Sequence, residues 1–304
     1  MSVKKLTAEL YAKLGERGYK CSIVSVERLD DLKQEIESRK SQGLLDQRLY
    51  REYFTSFSYH PPESLTGARS LIVVAAPQPQ IQVVFNWNGK PQPLIIPPTY
   101  LHYSDGMVRD LLADVLESKG YEIASVLLPV KLLSARSGLS FYGKNNICYV
   151  PGMGSFHRLM AFYSDLSCLE DIWHESVMLE DCENCLACLN ACPTGAITSD
   201  RFLIKAERCL SFLNENSGDF PEWLNPSWHN CLVGCLHCQS VCPKNRDFVD
   251  WIEPGAEFSE EETGLLLNGA PLEKLPAVTV KKLEHLDMIG YHDVLPRNLR
   301  VLLK

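Results

Sequence analysis

Nine of the twelve cysteines lie between Cys182 and Cys242. The stretch opens with CENCLACLNACP, where Cys182, Cys185, Cys188 and Cys192 keep a C-x2-C-x2-C-x3-C-P spacing. That spacing wraps three thiolates around one cubane iron-sulfur cluster and sends the fourth to a neighbouring cluster. A second run, CLHCQSVCP, repeats the tail of the pattern with Cys235, Cys238 and Cys242, but Leu232 stands where its first ligand would be. The missing thiolate must come from elsewhere, and Cys209 and Cys231 are the two candidates. In the crossed arrangement of two-cluster ferredoxins, one 4Fe-4S cluster takes Cys182, Cys185, Cys188 and Cys242, and the other takes Cys192, Cys235, Cys238 and Cys209 or Cys231. The context AERCLSF, about one helix and a turn after Cys192, favours Cys209.

Two other chemistries use paired cysteines. A zinc site also takes C-x2-C pairs, but it needs only four thiolates and leaves both Cys-Pro ends unexplained. A disulfide framework belongs to small secreted chains, and the opening MSVKKLTAELYAKLGERGY is a charged amphipathic helix without the apolar centre of a signal peptide. A cytoplasmic protein is therefore expected, in a compartment where thiolates stay reduced. No apolar run approaches the length that spans a bilayer.

Elements that could position such clusters are read along the 304 residues, enough for two domains with ordinary cores. Residues 3–18 and 28–41 carry helical apolar spacing, with CSIVSV between them as a short strand. ARSLIVVAAP reads as a fully buried strand, and IQVVF and PLIIP flank the hairpin signal Asn88-Gly89. A helix from about Ser104 to Lys119 follows, capped by Ser104 or Asp105, and YEIASVLLP is a further strand. After Asp247 the chain predicts two short helices broken at Gly290 and Pro296, with no chemistry of their own. The mixture predicts an α+β fold. The net charge of −8 and the lack of a basic run argue against nucleic acid as a partner. Five glutamates between Glu253 and Glu262 read as a solvated acidic face.

A second stretch of interest runs from Leu128 to Asp165. Gly138, Gly143, Gly152 and Gly154 punctuate it, and Lys144, Asn145 and Asn146 sit between two expected elements. This suits a loop whose backbone approaches a large ligand, and it equally suits an ordinary glycine-rich turn. It has neither the order of a nucleoside-triphosphate loop nor that of a dinucleotide fold.

Taken together, ARSLIVVAAP, RSGLSFYGKNN, GSFHR, CENCLACLNACPTGAI, AERCLSFLNE and VGCLHCQSVCPKN resemble the epoxyqueuosine reductase family, cobalamin and iron-sulfur enzymes related to reductive dehalogenases. The resemblance implies a nitroreductase-like corrinoid-binding domain over residues 1–175 and a bacterial two-cluster ferredoxin-like module over 176–250. A helical tail over 251–304 packs on the core, the family's C-terminal helical repeat domain being shortened or missing. It implies base-off cobalamin beside two 4Fe-4S clusters, and it supports Cys209 as the eighth ligand, with Cys231 a buried or near-cluster thiol. Arg136, Gly138, Gly143, Lys144, Asn145, Cys148, His157, Leu159 and Ser211 fall at its cofactor-binding positions, Cys148 through its backbone. Cys21, Cys148 and Cys168 receive no metal role.

The chain departs from the family at the proton donor. Members that reduce epoxyqueuosine carry an aspartate in D-S-A-P before the glycine loop, and a gapless count back from Gly143 places it at Ala124. No carboxylate lies between Glu122 and Asp165, and an alanine cannot transfer a proton. Protonation is then expected from Tyr100, Tyr103 or Tyr142, or from His157, with Lys144 or Arg136 lowering a phenol's pKa. The implied activity is a cobalamin-dependent reductase of a small substrate rather than tRNA, fed by reduced ferredoxin or flavodoxin. The alternative is a corrinoid-binding or corrinoid-reducing electron-transfer protein without an organic substrate.

Overall fold

The computed structural model describes residues 2–303. In chain order, α1 (Val3–Glu16), β1 (Lys20–Ser25) and α2 (Leu29–Ser41) lead to α3 (Gln47–Leu49), one turn continued by a π-helical turn at Tyr50–Phe54. Strands β2 (Ser70–Pro77), β3 (Gln80–Trp87) and β4 (Lys90–Ile96) follow, then α4 (Tyr103–Leu116), β5 (Ile123–Ser125) and α5 (Val130–Arg136). The chain continues through β6 (Phe141–Tyr142), β7 (Cys148–Tyr149), β8 (His157–Ser164), α6 (Ala187–Ala191), α7 (Leu210–Glu215), α8 (His237–Ser240) and β9 (Ile252–Phe258). Helices α9 (Glu260–Leu267), α10 (Ala277–His285) and α11 (Leu295–Leu302) complete it.

These elements divide into two compact units, and the division is not the one expected from sequence. The first runs up to Pro77 and resumes over His102–Cys185; the second joins Gln78–Leu101 to everything from Leu186 onward. The expected boundaries near 175 and 250 therefore do not separate the packed bodies. The physical reason lies in β9, which pairs in parallel with β3 (Gln80 opposite Ile252, Phe85 opposite Phe258) and draws the β3–β4 hairpin into the C-terminal half.

In the first unit an antiparallel sheet of order β1-β2-β8-β5 separates two apolar layers. Alternation in β2 sends Ile72, Val74 and Ala76 to one face, against Leu6, Leu10 and Leu14 of α1 and Val108 and Leu112 of α4. Leu71, Val73 and Ala75 go to the other, against α2 and α5. A strand covered on both faces reads as a continuous apolar run, and ARSLIVVAAP is one. Helix α4 starts at Tyr103 with His102 as its N-cap and no side-chain cap bond, one residue before the expected start.

In the second unit β4-β3-β9 carries a core of Ile81, Val83, Phe85, Ile96 and Phe258 with Leu266, Leu283, Leu295 and Leu299 from α9 to α11. The expected two-helix tail is thus a strand and three helices of that core. Pro296 stands in the first turn of α11 and starts the helix instead of breaking one, because a missing N–H costs nothing there. The acidic run also changes character. Glu262 is buried, accepting from Thr279 Oγ1 (2.8 Å) and Lys282 Nζ (2.7 Å) and closing a capping box with Ser259.

Candidate functional site

Cys182 and Cys185 lie at the end of the first unit, and the other seven cysteines of the run belong to the second. In the second unit the two cysteine runs repeat each other in backbone as well as in sequence. Leu186 (φ −113°, ψ 5°) caps α6 as Leu236 (φ −112°, ψ −4°) caps α8, and the two short helices, carrying Cys188 and Cys238, pack on one another. Cys192 and Cys242 leave them extended (ψ 104° and 124°), as a residue before proline must. None of the twelve cysteines is held in a disulfide.

Cys192 and both candidate eighth ligands, Cys209 and Cys231, lie close enough to Cys235 to act on it. Burial pushes its thiol up, its own loop's His237 N–H opposes this, and Cys231, Cys209 and Cys192 each add to the rise. Cys209 is the N-cap of α7, its thiol raised chiefly by burial while the N–H groups of Phe212 and Ser211 favour the thiolate. Cys231, fully buried, receives a single such N–H, from Leu236. N–H groups aimed at sulfur stabilise the ligand form and tune a bound cluster. Among the described residues no three His, Cys, Asp or Glu side chains converge on a single metal-ion position. The eight-thiolate set therefore rests on spacing, the paired helices and the N–H groups facing the sulfurs.

In the first unit the glycine stretch folds as the β6–β7 hairpin, whose turn is closed by Gly143 N–H to Ile147 O (2.8 Å) and Asn146 N–H to Gly143 O (2.9 Å). A Cβ on Gly143 would lie 2.5 Å from the Tyr149 ring and 2.6 Å from Asn145 Oδ1, so the hairpin's own packing requires the glycine. Asn145 donates to Tyr149 Oη (3.0 Å). The hairpin is tied to the segment entering the cysteines: Tyr142 N–H reaches Val177 O (3.1 Å) and Leu179 N–H reaches Tyr142 O (2.8 Å). Lys144 Nζ donates to the carbonyls of Cys185 (3.1 Å) and Glu183 (3.4 Å).

The proton donors expected from sequence are not assembled. Tyr103 is 48% exposed on α4, whereas Tyr100 is buried in the core of the second unit. Tyr142, 7% exposed, is pushed well above the usual phenol range by burial and by Cys148. The cation beside it is Arg39, not Lys144 or Arg136, and burial outweighs that cation, so the expected lowering does not occur. Arg136 is instead committed to Glu175 (2.9 Å), Glu35 (3.6 Å) and the Trp173 ring. Gly138 packs against His174, Leu159 half-covers the core on β8, and Ser211 contributes its N–H to Cys209. Ala124 lies in β5 opposite Tyr163, against the core.

His157 carries a sign of a ligand. It is 5% exposed and burial holds its pKa down at about 4, so the ring is neutral. Nε2 bonds to Cys148 O (3.0 Å) and must be the protonated nitrogen, since a carbonyl only accepts. Nδ1 is then a buried acceptor without a partner. Buried acceptors are nearly always satisfied, and an amide N–H at the rim of a corrin would satisfy this one. The stretch thus fits a corrinoid at His157, while its glycines need no ligand to explain them.

Sequence comparison finds the family described as "4Fe-4S double cluster binding domain" over residues 181–245. The epoxyqueuosine reductase of Staphylococcus aureus is 29% identical over 228 residues, 71% of this chain and 58% of its own. That of Bacillus subtilis is 34% identical over 159 residues, 50% of this chain and 40% of its own. This chain thus spans about half the length of these relatives. Among solved structures, epoxyqueuosine reductase from Bacillus subtilis, described with its catalytic loop swung out of the active site, superposes with a TM-score of 0.70. The match has 24% identity and covers 99% of this chain and 82% of that one. An epoxyqueuosine reductase with a tRNA-Tyr stem loop gives a TM-score of 0.69 at 22% identity, covering the same shares.

Proposed function

We propose, from the premise that this chain belongs to an epoxyqueuosine reductase-like family, that it is an iron-sulfur and cobalamin-dependent reductase whose substrate is not tRNA. The observation that carries the reading is Lys144: a side chain on the hairpin next to His157 holds the backbone of Cys185, a cluster ligand by its spacing. When bound, the two 4Fe-4S clusters supply one-electron transfer and the base-off corrinoid supplies the reductive chemistry.

The chain's own residues do the rest. Eight thiolates, from Cys182, Cys185, Cys188 and Cys242 and from Cys192, Cys209, Cys235 and Cys238, hold the clusters, and Ser211 and Phe212 N–H groups orient Cys209. Lys144 places a positive charge beside Cys185, which favours the reduced state of the cluster held there. The neutral ring of His157 offers Nδ1 as an acceptor at the corrinoid edge. Reduced ferredoxin or flavodoxin would be the electron donor. Ala124 in the place of an acid, and the net charge of −8, support a substrate other than tRNA. The relative seen with a tRNA stem loop bears the other way, so the substrate is decided by experiment.

That experiment incubates cluster-loaded, corrinoid-loaded protein and a chemical reductant with an epoxyqueuosine-modified tRNA stem loop. The expected result is no conversion. Conversion to the reduced base would show that a group other than a carboxylate at position 124 protonates the substrate. The same alanine favours a second reading, a corrinoid-reducing protein without an organic substrate. Transfer of the reduced corrinoid to a second protein, without turnover of any small molecule, would establish it.

A further inference from the structure

Tyr100, expected above to serve as a proton donor, is placed for a different task. The residue follows β4 and is 9% exposed, among Leu232 and Val233 of the segment leading to Cys235. The Tyr291 ring meets it edge-on at 5.8 Å. Its hydroxyl donates to Glu215 Oε1. Burial, and then the Glu215 carboxylate, push the phenol well above its ordinary range, so it remains a protonated donor.

Glu215 is the last residue of α7, the helix whose N-cap is Cys209. The Tyr100 hydroxyl thus fixes a carboxylate at the end of the short helix that Cys209 begins. Gly234, immediately before Cys235, closes the arrangement. It has φ +68°, and an added Cβ would lie 2.7 Å from the Tyr100 ring, so the phenol rests directly on this backbone. Asn214 Nδ2 donates to Gly234 O (2.7 Å) and joins the same two segments from the other side.

We infer that Tyr100 and Glu215 are positioning residues that lower the reduction potential of the cluster held by Cys209 and Cys235. A fixed anion beside a thiolate ligand disfavours the added electron, and a buried donor keeps that anion in place. The inference rests on the reading of Cys209 as a ligand of the second cluster. It removes Tyr100 from the substrate's proton path and gives it a role in electron supply.

The test is an EPR-monitored redox titration of protein reconstituted anaerobically with iron and sulfide, which resolves the two midpoints. In Glu215→Gln, an isosteric change, one midpoint rises and the other stays. At the original midpoint the reduced-to-oxidised ratio of the affected cluster increases about tenfold, or about 59 mV for one electron. Tyr100→Phe moves the same midpoint in the same direction by less, because the carboxylate loses its anchor and relaxes toward water. The double variant matches Glu215→Gln alone, the non-additivity of a coupled pair. Two unmoved midpoints in Glu215→Gln, or both moved equally, overturn the inference while the two-cluster reading stands. An unsubstituted protein that binds about four irons overturns that reading, and the inference with it.

Discussion

Cys209→Ser removes a sulfur that already faces two backbone N–H groups, and the protein is expected to lose or convert one cluster. Cys231→Ser is expected to leave iron nearly unchanged, and iron and acid-labile sulfide analysis of the two variants checks both. The reverse pattern would make Cys231 the ligand. A second residue-scale expectation concerns pH. The buried His157 has its pKa lowered from 6.5 to about 4, so on acidification the unfolded chain binds a proton before the folded one does. The stability due to its neutral ring is complete above about 6.5 and is lost as pH falls toward 4, on the order of 3 kcal/mol in all. Denaturant midpoints of the apo protein at pH 7 and pH 4.5 measure the loss, which should shrink in His157→Gln. An equal loss in that variant would place the effect elsewhere.

Elements with local signals were legible in the sequence. The continuous apolar run of β2 announced a strand buried on both faces. Asn88 and Gly89 take the positive φ values, 53° and 69°, that a two-residue hairpin demands. Strand β9 was hidden, because IEPGAEF holds a proline, a glycine and two glutamates and pairs in parallel with residues about 170 positions away. Helix α11 carried no chemical motif, yet Asn298 Nδ2 donates to Asn214 O and Leu232 O, both at 3.0 Å. Arg297 adds a bond to Leu213 O (2.8 Å). The helix therefore fastens the segment after Cys209 to the segment before Cys235. Asn298→Ala removes the side-chain donor to Leu232 O and leaves Asn214 O only the longer bond from Arg297 Nη2 (3.4 Å), and a loss of about 1 to 3 kcal/mol in a urea melt is expected. One of the two clusters should also release iron faster to a chelator. Equal release from both clusters would show that α11 has no specific hold on either.

At the scale of the molecule, the cysteine spacing revealed the cluster module, but the partition of the chain did not follow from it. The hairpin at Gln78–Leu101 leaves the first unit before returning to it at His102, and only long-range pairing with β9 explains the excursion. Residues such as Glu215, Asn214 and Asn298 escaped notice for the same reason. Each is an ordinary polar residue in sequence, and its meaning comes from partners brought close by folding.

The central claim is that a chain holding two clusters also holds a corrinoid. The direct measurement is the visible and EPR spectrum of anaerobically reconstituted protein carrying about eight irons after addition of cobalamin. The account predicts stoichiometric uptake with the base-off signal, reduced when His157 is replaced by Phe. Protein that carries all eight irons and leaves the cobalamin free in solution would contradict it.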